Sequence, residues 1–517
     1  MIEDSFNEKF NKTITNINNT VNSIKITIDE NVKIGDIEIN NKFTLNYFRI
    51  IYFSIVIFLI LIVLYYYKTN LISKKIEYLF LIISLLFGSL LVILQPNATF
   101  YSWDDQIHFE RSVQAFNNNV YWSSNLWQMR YPYPFEPYSI DSKEEQFMQI
   151  KYLNSQSEIV NIEKHRLLIK YSEVSYVPAS LGLKLANFLK LPFSIKFKLG
   201  KLMNVLFYSL IMFLALKITK IKKRLLFVIG LIPTTIFMSA QYSYDPQITA
   251  CLCLAMAVLI NEFIEKEKKL SIFNVCLFLG SIIFACFTKA IYTPLIFLML
   301  LLPKKKFKDD KQHRNFKIGL LLIGILLLST FILPTLTSAD VVGDLRGGNT
   351  SVSGQLSLII KNPISYLLIL KDNMFDLFFY KLFSKETLGN FAYVLEISDN
   401  IYYMFLLLLI FVGFTDNDKK YKLPNYFKYI MLLMIFGIIL FIWTALYLSF
   451  TPVGNMIING VQGRYFIPLL FPLLIVACPD NIVNNISNKK YDLFIIIALL
   501  FILSVAIYQN ILSVYCF

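Results

Sequence analysis

Long apolar stretches separated by short polar segments recur along most of this chain of 517 residues. Each stretch is roughly 18–24 residues long, enough for one helix to cross the ~30 Å of hydrocarbon in a bilayer. The pattern predicts an all-α fold, a polytopic transmembrane helical bundle of about 12 spans. The predicted spans lie near residues 47–67, 76–95, 199–218, 225–241, 246–263, 270–287, 289–303, 317–337, 399–414, 428–450, 464–480 and 491–512.

The polar segments divide the chain into unequal parts. Residues 1–45 form a polar N-terminal tail in which isoleucines alternate with polar residues, so that short strands and a disordered tail both fit. Residues 46–75 contain an additional N-terminal span and a short basic loop. The rest of the chain, 76–517, is predicted to be one transmembrane domain, and its largest polar segment is the loop 96–198.

Lysine and arginine clusters indicate the orientation of the spans. They follow the first, third, fifth, seventh, ninth and eleventh spans, while the short loops on the other side carry almost none. Basic loops stay in the cytoplasm, so the loop 96–198 and the segments 338–398 and 451–463 are predicted to face outward together, and both termini with them. Residues 171–190 and 363–383 are partly apolar with helical spacing and are predicted to lie along the outer membrane interface.

Composition supports a membrane protein and argues against other classes. Hydrophobic residues make up 56% of the chain and charged residues 16%, whereas soluble domains average about 25% charged residues. The net charge of +14 comes mostly from the loop clusters, so we expect a lipid bilayer and no nucleic acid as partner. The six cysteines show no metal-ligand spacing and are expected to be small residues of the core.

The loop 96–198 contains the first candidate chemistry. A helix that starts near Trp103 would place Asp104, His108 and Arg111 on one face, since four and then three residues separate them. A carboxylate beside a histidine at the end of a span could deprotonate an acceptor hydroxyl. Two alternatives remain: Ser102 and Asp105 could form a capping box, or Asp104, Asp105 and His108 could bind a divalent metal.

Three other short segments are predicted on the same side. Asp245 lies in a tight turn before the fifth span, where it could contact substrate or cap the helix. Lys289 stands in apolar surroundings, where it could bind a lipid phosphate or extend to the interface. Arg464, flanked by Gln462 and Tyr465, starts the eleventh span, and its planar fork suits phosphate. A plain interfacial anchor is the alternative for this arginine.

Tryptophans add a further candidate surface to the first outer loop. Trp103, Trp122 and Trp127 all lie between residues 96 and 198. Such residues commonly anchor a protein at the level of the lipid headgroups. A platform for stacking a sugar is the sharper hypothesis.

These motifs recur in one known family. The further matching segments are Tyr176-Val177-Pro178, Lys201-Leu202-Met203-Asn204, Ser243-Tyr244-Asp245, Thr288-Lys289, Pro303 to Phe307 and Gly460 to Pro468. Over residues 76–512 the chain resembles polytopic bacterial membrane proteins that carry a conserved domain of unknown function and are grouped with the GT-C glycosyltransferase superfamily. Three positions depart from that pattern: Lys201 replaces arginine, Asp105 replaces the more common glutamate, and Trp103 replaces proline.

The resemblance implies a fold and an activity. It implies a GT-C-like glycosyltransferase in the bacterial cell membrane, which moves a sugar from a polyprenyl-phosphate donor to a cell-wall or exported glycan on the outer face, with inversion. Asp104 is the first choice for the general base and Asp105 the second, with His108 beside them. The residues implied to bind substrate or phosphate are Arg464, Lys289, Lys201, Asp245, Arg111, Tyr465 and Gln462.

Other functions remain open. One is a transporter or flippase of a lipid-linked or small solute, although such proteins usually bury their charges at mid-membrane. Another is a glycan polymerase or ligase that uses the same lipid chemistry. No cofactor is firmly implied, and a divalent metal remains an alternative.

Overall fold

The computed structural model describes residues 45–97, 101–115, 171–337, 347–417, 421–479 and 484–516, with the single positions 23, 25, 150, 151, 154 and 482. The strands suggested for the N-terminal tail, and Trp122 and Trp127, lie outside the described residues. Within the described ranges all regular structure is helical, and β-structure is limited to isolated bridges. The prediction of an all-α membrane protein is confirmed.

Within the described ranges the chain forms eighteen α-helices. They are α1 (Tyr47–Lys68), α2 (Ile76–Leu94), α3 (Asp105–Gln114), α4 (Val177–Phe188), α5 (Phe193–Ile218), α6 (Lys223–Gly230), α7 (Pro233–Ser239), α8 (Asp245–Ile264), α9 (Ile272–Thr288), α10 (Asp310–Thr337), α11 (Val352–Lys361), α12 (Pro363–Phe383), α13 (Lys385–Leu388), α14 (Asp399–Thr415), α15 (Asn425–Phe450), α16 (Ile467–Ala477), α17 (Asn488–Ile507) and α18 (Ser513–Tyr515). The 3₁₀ helices are Tyr171–Tyr176, Ala290–Leu301, Lys304–Lys306 and Gly463–Tyr465, and a π-helical turn covers Tyr508–Leu512.

Seven of the described helices are long and apolar enough to cross a membrane. They are α1, α2, α5, α8, α10, α15 and α17. The prediction of about 12 spans is therefore not confirmed. Four further predicted spans are shorter apolar helices, namely α9, the 3₁₀ helix Ala290–Leu301, α14 and α16. At a rise of about 1.5 Å per residue, the 17 residues of α9 extend about 25 Å, which is less than the full hydrocarbon thickness.

The remaining predicted span, 225–241, is broken into α6 and α7. The break falls at Leu231 and Ile232, immediately before Pro233. A proline has no backbone N–H and disfavours the helical conformation in the residue before it. Ile232 accordingly takes φ −53° and ψ 125°, outside the helical region. An apolar pattern does not distinguish one helix from two short ones.

Helix α8 forms the centre of the bundle. Within its membrane-length window 94% of the residues are buried, and it packs against α5, α9 and α16. By contrast α1 is peripheral, with 17% of its window buried, and is attached to the C-terminal helices by the Tyr52 hydroxyl, which donates to the Ser504 carbonyl at 2.7 Å. All six cysteines are free, and only Cys276 is exposed.

Charged residues collect at both ends of α8. Near its C-terminus, Lys306 Nζ lies 2.5 Å from Glu262 Oε2, and Lys220 pairs with Glu265. These lysines belong to the clusters that predict the cytoplasmic side. Asp245, at the other end of the same helix, lies about 25 Å away along its axis. The bundle thus separates the basic loops from the candidate site by most of a bilayer thickness, while the side of the membrane that each faces stays a prediction.

The two predicted interfacial segments are helical. Residues 171–190 form the 3₁₀ helix Tyr171–Tyr176 followed by α4, and residues 363–383 correspond to α12. The 3₁₀ helix and α4 both pack against α3, which starts next to Asp104. This packing places the described part of the loop 96–198 beside the candidate site.

Candidate functional site

The start of α3 has an unusual backbone. Asp104 precedes the helix with φ +57° and ψ 21°, the left-handed conformation that residues other than glycine rarely adopt. The predicted capping box is wrong, because Ser102 Oγ is buried without a hydrogen-bond partner and Asp105 accepts a bond from Tyr242 instead. Strain of this kind persists where the surrounding structure fixes it, commonly at functional sites.

Four charged side chains meet beside this backbone. Arg464 Nη2 donates to Asp104 Oδ2 at 3.1 Å, and Arg464 Nη1 lies 3.4 Å from Asp245 Oδ2. Asp245 Oδ1 in turn accepts from Lys289 Nζ at 2.6 Å. We call Asp104, Arg464, Asp245 and Lys289 the ionic chain. It alternates two acids with two bases, so its formal charges cancel, and it joins residues up to 360 positions apart.

Aromatic rings enclose the two cations of the ionic chain. The Arg464 guanidinium lies 4.9 Å from the Trp103 ring centroid and 5.3 Å from that of Tyr465. Lys289 Nζ lies 4.3 Å from the Tyr465 ring and 5.1 Å from the Tyr244 ring. Such cation–π contacts strengthen as water is removed. The rings therefore hold both cations in place at a site of low polarity.

Arg464 has unused hydrogen-bonding capacity. Its side chain is only 4% exposed; Nη1 has only the ion pair with Asp245, and Nε is buried without a hydrogen-bond partner. The same is true of Gln462 Oε1, two residues earlier. Buried donors are nearly always satisfied, and a guanidinium offers a fork that matches the oxygens of a phosphate. The arrangement can accept an additional anion.

His108 lies under the ionic chain among tyrosines. Its Nδ1 is 2.9 Å from the Tyr176 hydroxyl, and its ring centroid is 4.7 Å from that of Tyr244. Burial lowers the pKa of His108 to about 4, although the nearby Asp104 acts in the opposite direction. The imidazole is therefore neutral near pH 7 and is a hydrogen-bonding partner there rather than a cation.

Asp105 and Lys201 form a second pair, separate in its contacts from the ionic chain. Asp105 is fully buried and its Oδ1 accepts from the Tyr242 amide at 2.9 Å, while Oδ2 lies 3.7 Å from Lys201 Nζ. Lys201 Nζ also donates to Gln241 Oε1 at 2.7 Å. Burial raises the pKa of Asp105 to about 6, opposed by the charge of Lys201. The two adjacent aspartates thus have very different surroundings.

The remaining predicted residues lie around these groups. Arg111 is largely exposed and faces Glu173, with 3.9 Å between Nη1 and Oε1. Tyr465 contacts both cations through its ring, and its carbonyl accepts from the Tyr292 hydroxyl at 2.7 Å. Their roles in substrate binding stay predictions. No group of three or more His, Cys, Asp or Glu residues suited to a metal occurs in the described ranges.

Sequence reasoning missed two residues that contact residues 460–465, which carry Arg464 and which we call the arginine loop. Glu386 Oε1 accepts from the Gly463 amide at 2.9 Å, and its Oε2 pairs with Lys381 at 2.6 Å. A Cβ on Gly463 would lie 2.0 Å from Thr387 Oγ1, so the two backbones approach as closely as glycine allows. Neither Glu386 nor Thr387 belongs to any motif that the sequence singled out.

Fold and site together define a multi-spanning helical membrane protein with a buried ionic chain at one end of its bundle. More particularly, the chain belongs to the family described as predicted membrane protein (DUF2142), whose model matches residues 85–475. The match includes all four residues of the ionic chain and leaves out α1 and the N-terminal tail. Comparison with curated proteins and with solved structures found no match. The family description covers membrane character and no activity, so the GT-C relationship stays a prediction.

Proposed function

We propose that this protein is a membrane glycosyltransferase that moves a sugar from a polyprenyl-phosphate donor to a cell-wall or exported glycan at the extracytoplasmic face of a bacterial cell membrane. The observation that carries the proposal is the ionic chain, with two cations and unused arginine donors at one end of a buried helix. A donor with a long apolar tail stays in the bilayer, which gives a reason for the catalyst to be a membrane protein.

The two cations suit the leaving group of such a reaction. Arg464 and Lys289 lie on either side of Asp245 and share its two oxygens. Charge develops on the phosphate as the bond to the sugar breaks, and prearranged cations in a dry site stabilise that charge strongly. The Nε–H of Arg464 has no hydrogen-bond partner, so it is a donor that Asp104 and Asp245 do not use. We assign phosphate binding to this pair.

Asp104 is best suited to take the proton. Its side chain is 22% exposed, compared with 10% for Asp245, and Asp105 is fully buried. The acceptor hydroxyl attacks the anomeric carbon of the sugar, and its proton passes to the Asp104 carboxylate. The bond between the anomeric carbon and the phosphate oxygen breaks, and polyprenyl phosphate leaves with the bonding electrons. Attack opposite the leaving group inverts the configuration.

The test uses purified protein in liposomes with radiolabelled polyprenyl-phosphate sugars and a wall-derived acceptor fraction. We expect labelled glycan and free polyprenyl phosphate to appear in equal amounts. Asp104→Asn should lower the rate by about 100-fold or more, the usual contribution of a general base. The matched control is Asp372→Asn, since Asp372 is 68% exposed on α12, and it should retain the wild-type rate.

Cells provide the second arm of the test. Loss of the protein should remove one sugar from the wall or exported glycan, and Asp104→Asn should reproduce the loss with normal membrane insertion. An unchanged glycan composition together with no turnover of any donor would refute the proposal. Movement of the lipid-linked sugar across the membrane without transfer would instead favour the transporter or flippase. Growth of polymer chains from lipid-linked oligosaccharide would favour the polymerase or ligase.

A further inference from the structure

We propose that Asp105 and Lys201 are positioning residues, a buried pair that fixes the turn before α8 and so places Asp245 between Lys289 and Arg464. The effect of the pair on sugar transfer rests on the proposed function, whereas the positioning itself is a property of the fold. The two adjacent aspartates then have different roles: Asp104 takes the proton from the substrate, and Asp105 supports the turn.

The contact of Asp105 with the turn is direct. Its Oδ1 accepts from the backbone amide of Tyr242 at 2.9 Å, and Tyr242 lies three residues before Asp245. The Tyr242 hydroxyl donates to the Phe197 carbonyl at 2.8 Å. A Cβ on Gly200 would lie 2.2 Å from that hydroxyl, so α5 and the turn are packed without room for adjustment.

Lys201 holds the preceding residue of the same turn. Its Nζ donates to Gln241 Oε1 at 2.7 Å, and Gln241 Nε2 donates to Gln95 Oε1 at 2.6 Å. Asn204 Nδ2, one helical turn after Lys201, donates to the Gln241 carbonyl at 2.9 Å. The turn is thus attached to α3, α5 and the end of α2 through its backbone and its side chains.

The surroundings of Asp105 do not suit a group that meets substrate. Its carboxylate is fully buried, one oxygen receives a backbone amide, and the other faces Lys201 at 3.7 Å. Removing either partner would leave a buried charge unpaired, which is strongly destabilising, whereas removing both charges together is often tolerated. This difference provides a test. If Asp105 were catalytic, neutralising Lys201 as well could not restore the activity lost with the Asp105 carboxylate.

The first measurement is hydrogen exchange of the peptide that contains Tyr242, in purified full-length protein. Asp105→Ala removes the acceptor of this amide, and exchange should become about tenfold faster. Asp105→Asn keeps an oxygen acceptor, and combined with Lys201→Met it also removes the unpaired charge, so the double variant should exchange more slowly than Asp105→Ala. The lost bond from Lys201 to Gln241 keeps its exchange above the wild-type rate. Asp104→Asn should not change this peptide. Unchanged exchange in Asp105→Ala would overturn the proposal.

The second measurement is sugar transfer by the same variants. Asp105→Asn alone should lower kcat/KM about tenfold, and adding Lys201→Met should recover part of that loss, a coupling that two independent residues would not show. Transfer that stays lost in the double variant, although the Tyr242 amide is partly protected again, would show that Asp105 acts on substrate and overturn the proposal. If no variant and no wild type transfers sugar, the exchange result still decides the positioning role, and only the proposed function fails.

Discussion

Gly463→Ala provides a sharp test of how the arginine loop is held. The new methyl carbon would lie 2.0 Å from Thr387 Oγ1 and 3.0 Å from both the Cβ and the backbone nitrogen of Thr387. Thr387 Oγ1 donates to the Lys381 carbonyl and cannot rotate away without losing that bond. The Gly463 amide is itself bonded to Glu386. The loop therefore has to move, and Arg464 moves with it.

The size of the effect follows from these contacts. Forcing a methyl group into a packed site costs about 1–3 kcal/mol, and losing the threonine hydrogen bond adds about 1 kcal/mol. We expect a loss of about 2–4 kcal/mol in the free energy of unfolding, or in donor use if the loop shifts without unfolding. If the whole loss were 3 kcal/mol and fell on donor binding, the affinity for donor would fall about 100-fold. Any part that falls on folding lowers the folding equilibrium constant instead.

The assays are thermal unfolding in detergent and the KM for donor in liposomes. Gly437→Ala is the matched control, because Gly437 lies within α15 and no atom lies within 4 Å of its added Cβ. This control should be neutral or slightly stabilised, as alanine favours a helix over glycine by up to about 1 kcal/mol. Adding Thr387→Ala to Gly463→Ala should recover part of the loss. Wild-type stability and KM in Gly463→Ala would refute the close contact.

Three further predictions address other parts of the molecule. Burial lowers the pKa of His108 from 6.5 to about 4, so between these pH values the unfolded chain binds a proton that the folded protein does not. The free energy of unfolding should therefore fall by up to roughly 3 kcal/mol as the pH drops from 6.5 to 4. Melting curves of His108→Gln should show a smaller fall over the same pH range. Arg224 pairs with Asp416 at 3.2 Å and with Asp492, so Arg224→Gln should destabilise by about 3 kcal/mol, and a denaturation midpoint equal to that of the wild type would contradict this. Lys289→Met should reduce kcat/KM for lipid-phosphate donor by about 100-fold, and a pure loss of stability with full activity per folded molecule would count against phosphate binding.

The sequence predicted the helical membrane architecture but not the continuity of each helix. Hydropathy reports which residues avoid water, and it marks α8, the 3₁₀ helix Ala290–Leu301 and the α6–α7 pair alike as apolar stretches. The differences come from Pro233 and Pro294, whose local effects depend on which neighbouring groups can satisfy the freed carbonyls. The count of spans was therefore the weakest part of the prediction.

The same contrast holds at the candidate site. Motif positions identified Asp104, Asp245, Lys289 and Arg464, and the fold brings them within hydrogen-bond or ion-pair distance of one another. Spacing along α3 did not reveal that Asp104 takes a left-handed conformation, which removes the capping box. Glu386 and Thr387 could not be predicted from the sequence, because they contact the backbone of the arginine loop at Gly463. A contact to backbone atoms requires no particular residue type in the loop and so produces no recognisable motif.

The two charged groups on α8 explain how a reaction site could be kept at a fixed depth. Asp245 with Lys289 and Arg464 lies at one end, and Glu262 with Lys306 lies at the other, about 25 Å away along the helix. Moving either group toward the bilayer centre would place ion pairs in hydrocarbon, which is costly. The apolar length between them is somewhat less than the ~30 Å of hydrocarbon, so sliding the helix in either direction would bring one charged group deeper into the bilayer. The proposed transfer from a lipid phosphate requires such a spacing, because it keeps the ionic chain near one end of the bundle and away from the bilayer centre.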